Sequence, residues 1–204
     1  MTLLLAALIG YLFGSFPTGL MIGKLHGVDP RTVGSGRTGG TNVYRAAGKL
    51  AGLLTAFLDI FKGAIAMGLV GRYVDSSTLA TALTGLMAVL GHNWSLFLGF
   101  KGGAGTMTNW GGLLWLHWPL ALLGGLLGIV TFLFSRMSSL ASLLFALFVP
   151  IGLAVAVAWG RVPADYLVYG IGTALLISYS LLPNIRRILA GTERRVGGDA
   201  GTGR

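Results

Sequence analysis

The chain has 204 residues, of which 54% are hydrophobic and only 10% are charged, and its mean hydropathy is +0.78. Soluble domains carry about 25% charged residues, so this composition excludes a soluble globular protein and indicates an integral membrane protein. The apolar runs are long and lack strict alternation, which excludes a transmembrane β-barrel and favours an all-α bundle. The absence of cysteine excludes thiol chemistry, and the scattered His and acidic residues predict no metal site.

Seven apolar runs are predicted to be helices that cross the bilayer, a crossing that needs about 20 residues. The predicted helices lie at residues 3–23, 51–71, 78–98, 106–117, 119–135, 138–159 and 164–183. The fourth is short and ends at Pro119, so we expect it to start from a loop that dips into the protein. Residues 1–196 are predicted to form one domain, followed by a disordered Gly-rich tail at residues 197–204.

The basic residues are divided unequally between the two ends of these helices. Arg72 and Arg161 lie on one side, Lys62 lies inside a predicted helix, and all other Lys and Arg residues lie on the opposite side. The positive-inside rule therefore predicts that the N-terminus is outside and the C-terminus is cytoplasmic. Basic cytoplasmic loops account for the net charge of +9, so no nucleic-acid partner is predicted.

The first polar segment, residues 34–45, combines glycines, hydroxyls and cations. It begins with a literal GxGxxG match, but a predicted membrane helix precedes it in place of a strand, so a dinucleotide-binding fold is not predicted. Glycines let backbone approach an anion, and arginines offer forked cationic donors. The polar side chains are Ser35, Arg37, Thr41, Asn42 and Arg45. The pattern predicts a phosphate cradle; a flexible loop whose arginines set the membrane topology is the alternative.

The second polar segment, residues 100–106, reads FKGGAGT and opens the short fourth helix. A helix N-terminus attracts anions, so this segment predicts a second anion-binding element, with a simple turn as the alternative. His92, which precedes it, is more typical of a hydrogen-bonded packing residue. In the second helix, Asp59 and Lys62 are spaced to form an ion pair on one face, which we interpret as structural.

Taken in order, these motifs resemble those of the bacterial acyl-phosphate:glycerol-3-phosphate acyltransferases, the PlsY family. The matching segments are GSFPTG at 14–19, GSG at 34–36 with TNV at 41–43 and Arg45, DIFKG at 59–63, GH at 91–92 with FKGG at 100–103, SLAS at 139–142, and NIRR at 184–187 with GTE at 191–193. The resemblance covers nearly the whole chain. It implies a seven-helix fold in the bacterial plasma membrane with its site facing the cytoplasm. It also implies acyl transfer from acyl phosphate to the 1-hydroxyl of glycerol 3-phosphate, giving lysophosphatidic acid.

The resemblance also implies roles for individual residues. The implied catalytic residues are Ser35, Arg45 and Asn184. The implied substrate-binding residues are Gly36, Arg37, Gly39, Thr41, Asn42, His92, Lys101, Gly102, Gly103, Gly105, Thr106, Ser139, Ser142 and Glu193. The implied partners are acyl phosphate, glycerol 3-phosphate and membrane lipid, with no metal, no other cofactor and no obligate protein partner.

The chain departs from the family pattern at three positions. Arg37 stands where the family usually has Asn, Ala104 replaces a lysine and Leu181 replaces a histidine, and the family uses that lysine and histidine as functional groups. Two interpretations follow: an active acyltransferase in which Arg37 compensates for Ala104, or an impaired relative that still binds acidic lipid or polyol phosphate. A small transporter of phosphorylated metabolites is a third, although the repeats common in transporters are not seen.

Overall fold

A computed structural model describes residues 1–197, and all regular structure in that range is helical. The helices are α1 (Thr2–Ser15), α2 (Thr18–Leu25), α3 (Gly40–Ala47), α4 (Lys49–Tyr73), α5 (Thr78–Asn93), α6 (Thr106–Ser135), α7 (Ser138–Ala158), α8 (Tyr166–Ser180) and α9 (Leu182–Leu189). Short 3₁₀ turns occur at Pro30–Thr32 and Leu96–Leu98. Of the predicted disordered tail, residues 198–204 lie outside the described residues.

The nine helices of the described range do not match the predicted seven one to one. The first predicted helix is broken at Phe16, because Pro17 follows it and disfavours a helical residue before it. The last predicted helix ends at Ser180, and α9 begins beyond Leu181 at an angle of 64° to α8. Helix α3 lies in a segment predicted to be a loop, since eight amphipathic residues are too few to give a clear apolar run.

The predicted boundary at Pro119 is confirmed, because α6 consists of two helices joined by a sharp bend. His117 there has an extended backbone, with φ −159° and ψ 86°. The imidazole Nδ1 of His117 accepts a hydrogen bond from the Leu120 N–H at 3.2 Å, and Trp110 Nε1 donates to the Ala121 carbonyl at 2.8 Å. Side chains thus satisfy backbone groups freed by the bend, as the interior of a membrane requires.

By length and composition, four helical stretches of the described range can cross a bilayer: Thr2–Leu25, Lys49–Tyr73, Thr106–Ser135 and Ser138–Ala158. A fifth is obtained if α8 and α9 count as one bent span. Large apolar side chains project from the outer faces of these helices; Phe134 is 88% exposed and Leu175 is 67% exposed. So much exposed apolar surface is compatible with lipid and not with water, and the protein is an all-α integral membrane protein.

Small residues allow two helix pairs to pack at close range. A Cβ on Gly14 of α1 would overlap the carbonyl oxygen of Ala88 in α5, and a Cβ on Gly111 of α6 would overlap that of Ile60 in α4. Close contacts at small residues are a common basis of helix association in membranes. There, moving apolar surface from lipid to a helix interface does not stabilise association through the hydrophobic effect. They fix the position of α6 relative to α4 and hence the point at which α6 begins.

A buried apolar cluster joins α6, α7 and α8 and includes Leu113, Phe145 and Tyr169. The hydroxyl of Tyr169 donates to the backbone carbonyl of Asn109 at 2.5 Å. This contact holds α8 against the first half of α6, so the N-terminal end of α6 is supported from two sides.

Candidate active site

A polar cavity of about 150 Å³ lies between four parts of the chain: the first polar segment, the start of α6, the start of α7 and the chain after α9. The sequence-predicted site residues that line it are Ser35, Arg37, Gly39, Thr41, Asn42, Arg45, His92, Gly105, Thr106, Ser139, Ser142, Asn184 and Glu193. Residues from widely separated parts of the chain thus meet in one place, as the resemblance implies. We refer to this space as the polar cavity.

Four sequence-predicted residues line a neighbouring cleft of about 490 Å³ instead: Gly36, Lys101, Gly102 and Gly103. Local packing explains why residues 101–103 lie outside the polar cavity. The Gly103 N–H donates to the carbonyl of His92 at 3.0 Å, and a Cβ on Gly103 would overlap Nε2 of His92. The loop therefore lies against the end of α5, and the chain reaches the polar cavity only at Ala104. Substrate contact by these four residues stays a prediction.

Asn42 holds the first polar segment in shape. Its Oδ1 accepts from the Ser35 N–H at 2.9 Å, and its Nδ2 donates to the carbonyls of Pro30, Val33 and Arg37 at 2.6, 3.0 and 2.8 Å. The side chain is only 3% exposed, so its amide is fully used by the loop backbone. The structure gives Asn42 a part in presenting Ser35 and Arg37; direct substrate contact by its side chain stays a prediction.

Three helix N-termini converge on the polar cavity, those of α3, α6 and α7. None of the three has a side-chain cap, so their first N–H groups are not satisfied in that way. Their lining residues are Gly40 and Thr41, Thr106 and Met107, and Ser138 and Ser139. The N-cap of α6 is Gly105, whose φ of +83° favours glycine. Each N-terminus carries a partial positive charge of about one half, so together they favour an anion in the cavity.

Three arginines add full charges to this site: Arg37, Arg45 and Arg194. Burial, together with the nearby charge of Arg187, lowers the pKa of Arg37, and burial together with the charge of Arg194 lowers the pKa of Arg45. Both shifts have the sign expected of cations that are crowded together and partly removed from water. A bound anion relieves that crowding, so the electrostatics of the cavity favour a phosphate-bearing ligand.

Glu193 organises the side of the cavity formed by α7 and α9. Its Oε1 accepts from Ser139 Oγ at 2.9 Å and Asn184 Nδ2 at 2.8 Å, and its Oε2 accepts from Arg187 Nε at 2.8 Å. Burial alone raises the pKa of this carboxyl, but the hydrogen bonds from Asn184, Ser139 and Arg187 outweigh it, so the pKa lies below its ordinary value. The ionised carboxylate therefore fixes the orientation of Asn184.

A second carboxylate, Asp59, lines the polar cavity from α4 and is 1% exposed. Its Oδ1 accepts from Thr18 Oγ1 at 2.5 Å and Lys62 Nζ at 2.9 Å, and it lies 3.5 Å from Nδ1 of His92. The predicted ion pair between Asp59 and Lys62 is confirmed. Because Lys62 compensates its charge, Asp59 does not cancel the attraction of the cavity for anions.

An apolar groove of about 370 Å³ adjoins the polar cavity between α4, α6 and α7. Its apolar lining includes Leu53, Trp110, Ile129, Phe132 and Phe145. The groove and the polar cavity share Thr41, Thr106, Met107, Ser138 and Ser142. A molecule with a phosphate head and a hydrocarbon tail can therefore occupy both at once.

At this junction, the hydroxyl oxygen of Thr106 is buried and has no hydrogen-bond partner within residues 1–197. A buried hydroxyl without a partner is costly, so its position favours a polar ligand atom beside it. The described range brings together no three His or acidic side chains placed to hold a metal ion.

The sequence analysis missed several contributors to the site. Arg194 lines the polar cavity, Arg187 binds Glu193, and Ser138 borders both spaces. Several arginines flank the GTE motif at 191–193, and this clustering could have identified Arg187 and Arg194. The N-terminus of α3 could not be found in this way, because the helix is short and carries no capping side chain.

Comparisons with known proteins agree with this geometry. The family model described as glycerol-3-phosphate acyltransferase matches residues 4–191. The chain is 44% identical over 192 residues to a glycerol-3-phosphate acyltransferase of Thermus thermophilus, with 93% of each chain covered. It is 39% identical over 199 residues to one of Rubrobacter xylanophilus, with 98% of each covered.

Among solved structures, the chain is similar to PlsY, an integral membrane glycerol 3-phosphate acyltransferase. Its glycerol 3-phosphate form has a TM-score of 0.88 and 38% identity, with 97% of this chain and 96% of that chain covered. Its lysophosphatidic acid form has a TM-score of 0.86 at the same identity and coverage. On sequence and on structure, the chain belongs to the glycerol-3-phosphate acyltransferase family.

Proposed function

We propose that this chain transfers a fatty acyl group from acyl phosphate to the 1-hydroxyl of glycerol 3-phosphate, giving lysophosphatidic acid and inorganic phosphate. One observation carries the proposal: a cationic polar cavity and an apolar groove share a border of five residues. The groove suits the acyl chain, and the cavity suits two phosphate groups. The relatives' names and the two PlsY forms support the same acceptor and product.

The reaction needs positioning more than it needs a strong catalytic base. The acceptor hydroxyl oxygen bonds to the acyl carbon, the bond between that carbon and the phosphate oxygen breaks, and the departing phosphate takes the hydroxyl proton. Holding two reactants in attack geometry can supply about 7–11 kcal/mol. Cations and N–H groups around both phosphates supply the remaining stabilisation, because the two anions otherwise repel each other.

Individual residues take roles that follow from their places. Arg45 and the N–H groups of α3 bind the acceptor phosphate, Ser35 hydrogen-bonds it, and Asn184, held by Glu193, orients the acceptor hydroxyl. Thr106 and Ser142, which border both spaces, lie beside the acyl phosphate. No metal or organic cofactor is part of this scheme.

For the membrane arrangement we infer seven crossings in a bacterial plasma membrane, with the N-terminus outside and the active site facing the cytoplasm. The crossings are α1 with α2, α4, α5, the two halves of α6, α7, and α8. The bend at His117 supports treating the two halves of α6 as separate crossings. The distribution of basic residues supports the orientation.

A direct test uses purified protein in a lipid mesophase with palmitoyl phosphate and glycerol 3-phosphate. Phosphate release is compared with lysophosphatidic acid formed, by mass spectrometry. Equal molar amounts of the two products, dependent on both substrates, are expected. Binding of glycerol 3-phosphate without turnover would instead favour a catalytically impaired relative. Accumulation of glycerol 3-phosphate inside proteoliposomes, in the absence of acyl donor, would favour a transporter.

A further inference from the structure

One wall of the polar cavity carries no cation. Ala104 and Leu181 both line the cavity, and both belong to one apolar cluster with Val89, Ala146 and Ile177. Leu181 is 2% exposed, and neither its side chain nor that of Ala104 can donate a hydrogen bond to a phosphate. The charge that an anion needs must therefore come from the other walls.

Arg37 lies where it can supply that charge and also reach Asn184. Its Nη1 donates to Asn184 Oδ1 at 3.2 Å, and its Nη2 donates to the backbone carbonyl of Ser180. The Asn184 amide is thereby held at both ends, because its Nδ2 donates to Glu193. Arg37 also borders both the polar cavity and the neighbouring cleft, so it forms the partition between them.

The charge balance around this chain of contacts leaves Arg37 available to an anion. Glu193 is paired with Arg187 at 2.8 Å, whereas both bonds of the Arg37 guanidinium go to neutral oxygens. A guanidinium bound only to neutral acceptors keeps its full attraction for a phosphate. The same side chain can therefore bind phosphate and steady the amide beside it.

We propose that Arg37 is the specificity-determining cation of this site: it sets the affinity for the glycerol 3-phosphate phosphate and acts as a positioning residue for Asn184. This inference rests on the proposed function for its substrate. It adds that phosphate recognition in this chain comes from the first polar segment and not from the wall of Ala104 and Leu181.

Four variants test the two roles: Arg37→Gln, Arg37→Lys, Ala104→Lys and the double variant Arg37→Gln/Ala104→Lys. Arg37→Gln keeps donors but loses the charge, so the KM for glycerol 3-phosphate should rise about 10- to 100-fold. Arg37→Lys keeps the charge but cannot span Asn184 and the Ser180 carbonyl together, so kcat should fall more than KM rises. Arg186→Gln is the matched control, because Arg186 is exposed and borders only the neighbouring cleft.

The rescue separates this proposal from a merely structural role for Arg37. Ala104→Lys should lower KM strongly in the Arg37→Gln background but change the native protein little, because native Arg37 already supplies the charge. The proposal is overturned if Arg37→Gln leaves both constants within about twofold of native, or if Ala104→Lys improves both backgrounds equally.

If the native protein shows no turnover, the proposed function fails while the Arg37 assignment is still tested. Glycerol 3-phosphate binding is then measured by calorimetry on the native protein and on Arg37→Gln. Weaker binding by the variant, restored in the double variant, supports the assignment. Equal binding by native protein and variant refutes it. Thermal unfolding of each variant checks that the fold is retained.

Discussion

At the residue scale, Arg45 is the cation that the proposed function places on the acceptor phosphate together with the N–H groups of α3. Arg45→Ala should lower turnover about 10²- to 10³-fold, as expected when one preorganised donor to a charged group is removed. The matched control is Arg72→Ala, because Arg72 lies in the last turn of α4 and outside the polar cavity. The assignment fails if Arg45→Ala retains full activity.

Glu193 gives the site a predictable response to acid. Its folded pKa lies below the ordinary value of 4.5, so the carboxylate stabilises the fold above its unfolded pKa, and this contribution is lost as the pH falls through the folded pKa. Glu193→Gln should lower the free energy of unfolding at pH 7 by about 1.5–3 kcal/mol. The same variant should also lack the loss of stability that protonation of Glu193 causes as the pH falls.

The comparison for Glu193 is Asp29→Asn. Arg31 hydrogen-bonds Asp29 and lowers its pKa to about 2, but the pair is exposed to solvent, so the stability at pH 7 should hardly change. Denaturant titrations of both variants in mixed micelles, at pH 7 and pH 4, measure the difference. Equal responses of the two variants would remove the structural role given to Glu193.

At the scale of elements, the start of α6 is the part of the site most sensitive to backbone shape. Gly105→Ala puts an alanine at φ +83° and its Cβ 2.6 Å from Asn93 Oδ1, so the first turn of α6 must move. Because Thr106 in that turn lies beside the acyl phosphate, the KM for palmitoyl phosphate should rise about tenfold, equivalent to about 1.4 kcal/mol. Gly99→Ala is the control, since Gly99 also has positive φ (+60°) but has open space around it. Similar KM values for the two variants would contradict the role of this helix end.

The apolar groove makes a separate prediction about the acyl donor. Gly128 in α6 lines the groove, and a Cβ at this position would meet no neighbouring atom within 4 Å, so Gly128→Leu fills open space in the groove. The preferred acyl phosphate should become shorter, while the KM for glycerol 3-phosphate stays unchanged. Leu126→Phe, a change on the lipid-facing side of the same helix, should leave chain length preference alone. An unchanged preference in Gly128→Leu would mean that the acyl chain lies elsewhere.

At the scale of the whole molecule, orientation can be measured because the chain contains no cysteine. Single-cysteine variants Lys49→Cys and Arg161→Cys place a thiol at exposed positions near opposite ends of the bundle. In intact cells, a membrane-impermeant maleimide should label position 161 and not position 49. Labelling of position 49 alone would reverse the proposed orientation.

Much of the architecture could be predicted, because long apolar runs in a membrane protein have few alternatives to helix. The all-α class and the Asp59–Lys62 pair follow from residue type and spacing, and the family resemblance implies that the first polar segment meets the start of α6. Residues 1–196 as one domain stay a prediction. The break at Phe16 was missed although Pro17 marks it in the sequence, whereas the bend at Leu181 depends on local packing, which hydropathy does not report.

The sequence was less informative about which glycine-rich residues share a cavity. Lys101 and Ala104 are three positions apart, yet they face different spaces because Gly103 is pressed against His92. The uncapped N-terminus of α3 likewise has no signal in the residue composition. Distances in the fold, and not motif membership, decide which residues form the polar cavity.

The central claim is that this chain carries out acyl transfer in a cavity where a phosphate site meets an apolar groove. The most direct measurement is turnover of palmitoyl phosphate and glycerol 3-phosphate by the purified native protein, with Arg45→Ala alongside. The account predicts lysophosphatidic acid and inorganic phosphate in equal amounts from the native protein and at most about one hundredth of that rate from Arg45→Ala. Absence of lysophosphatidic acid with native protein that is folded and binds glycerol 3-phosphate would contradict it.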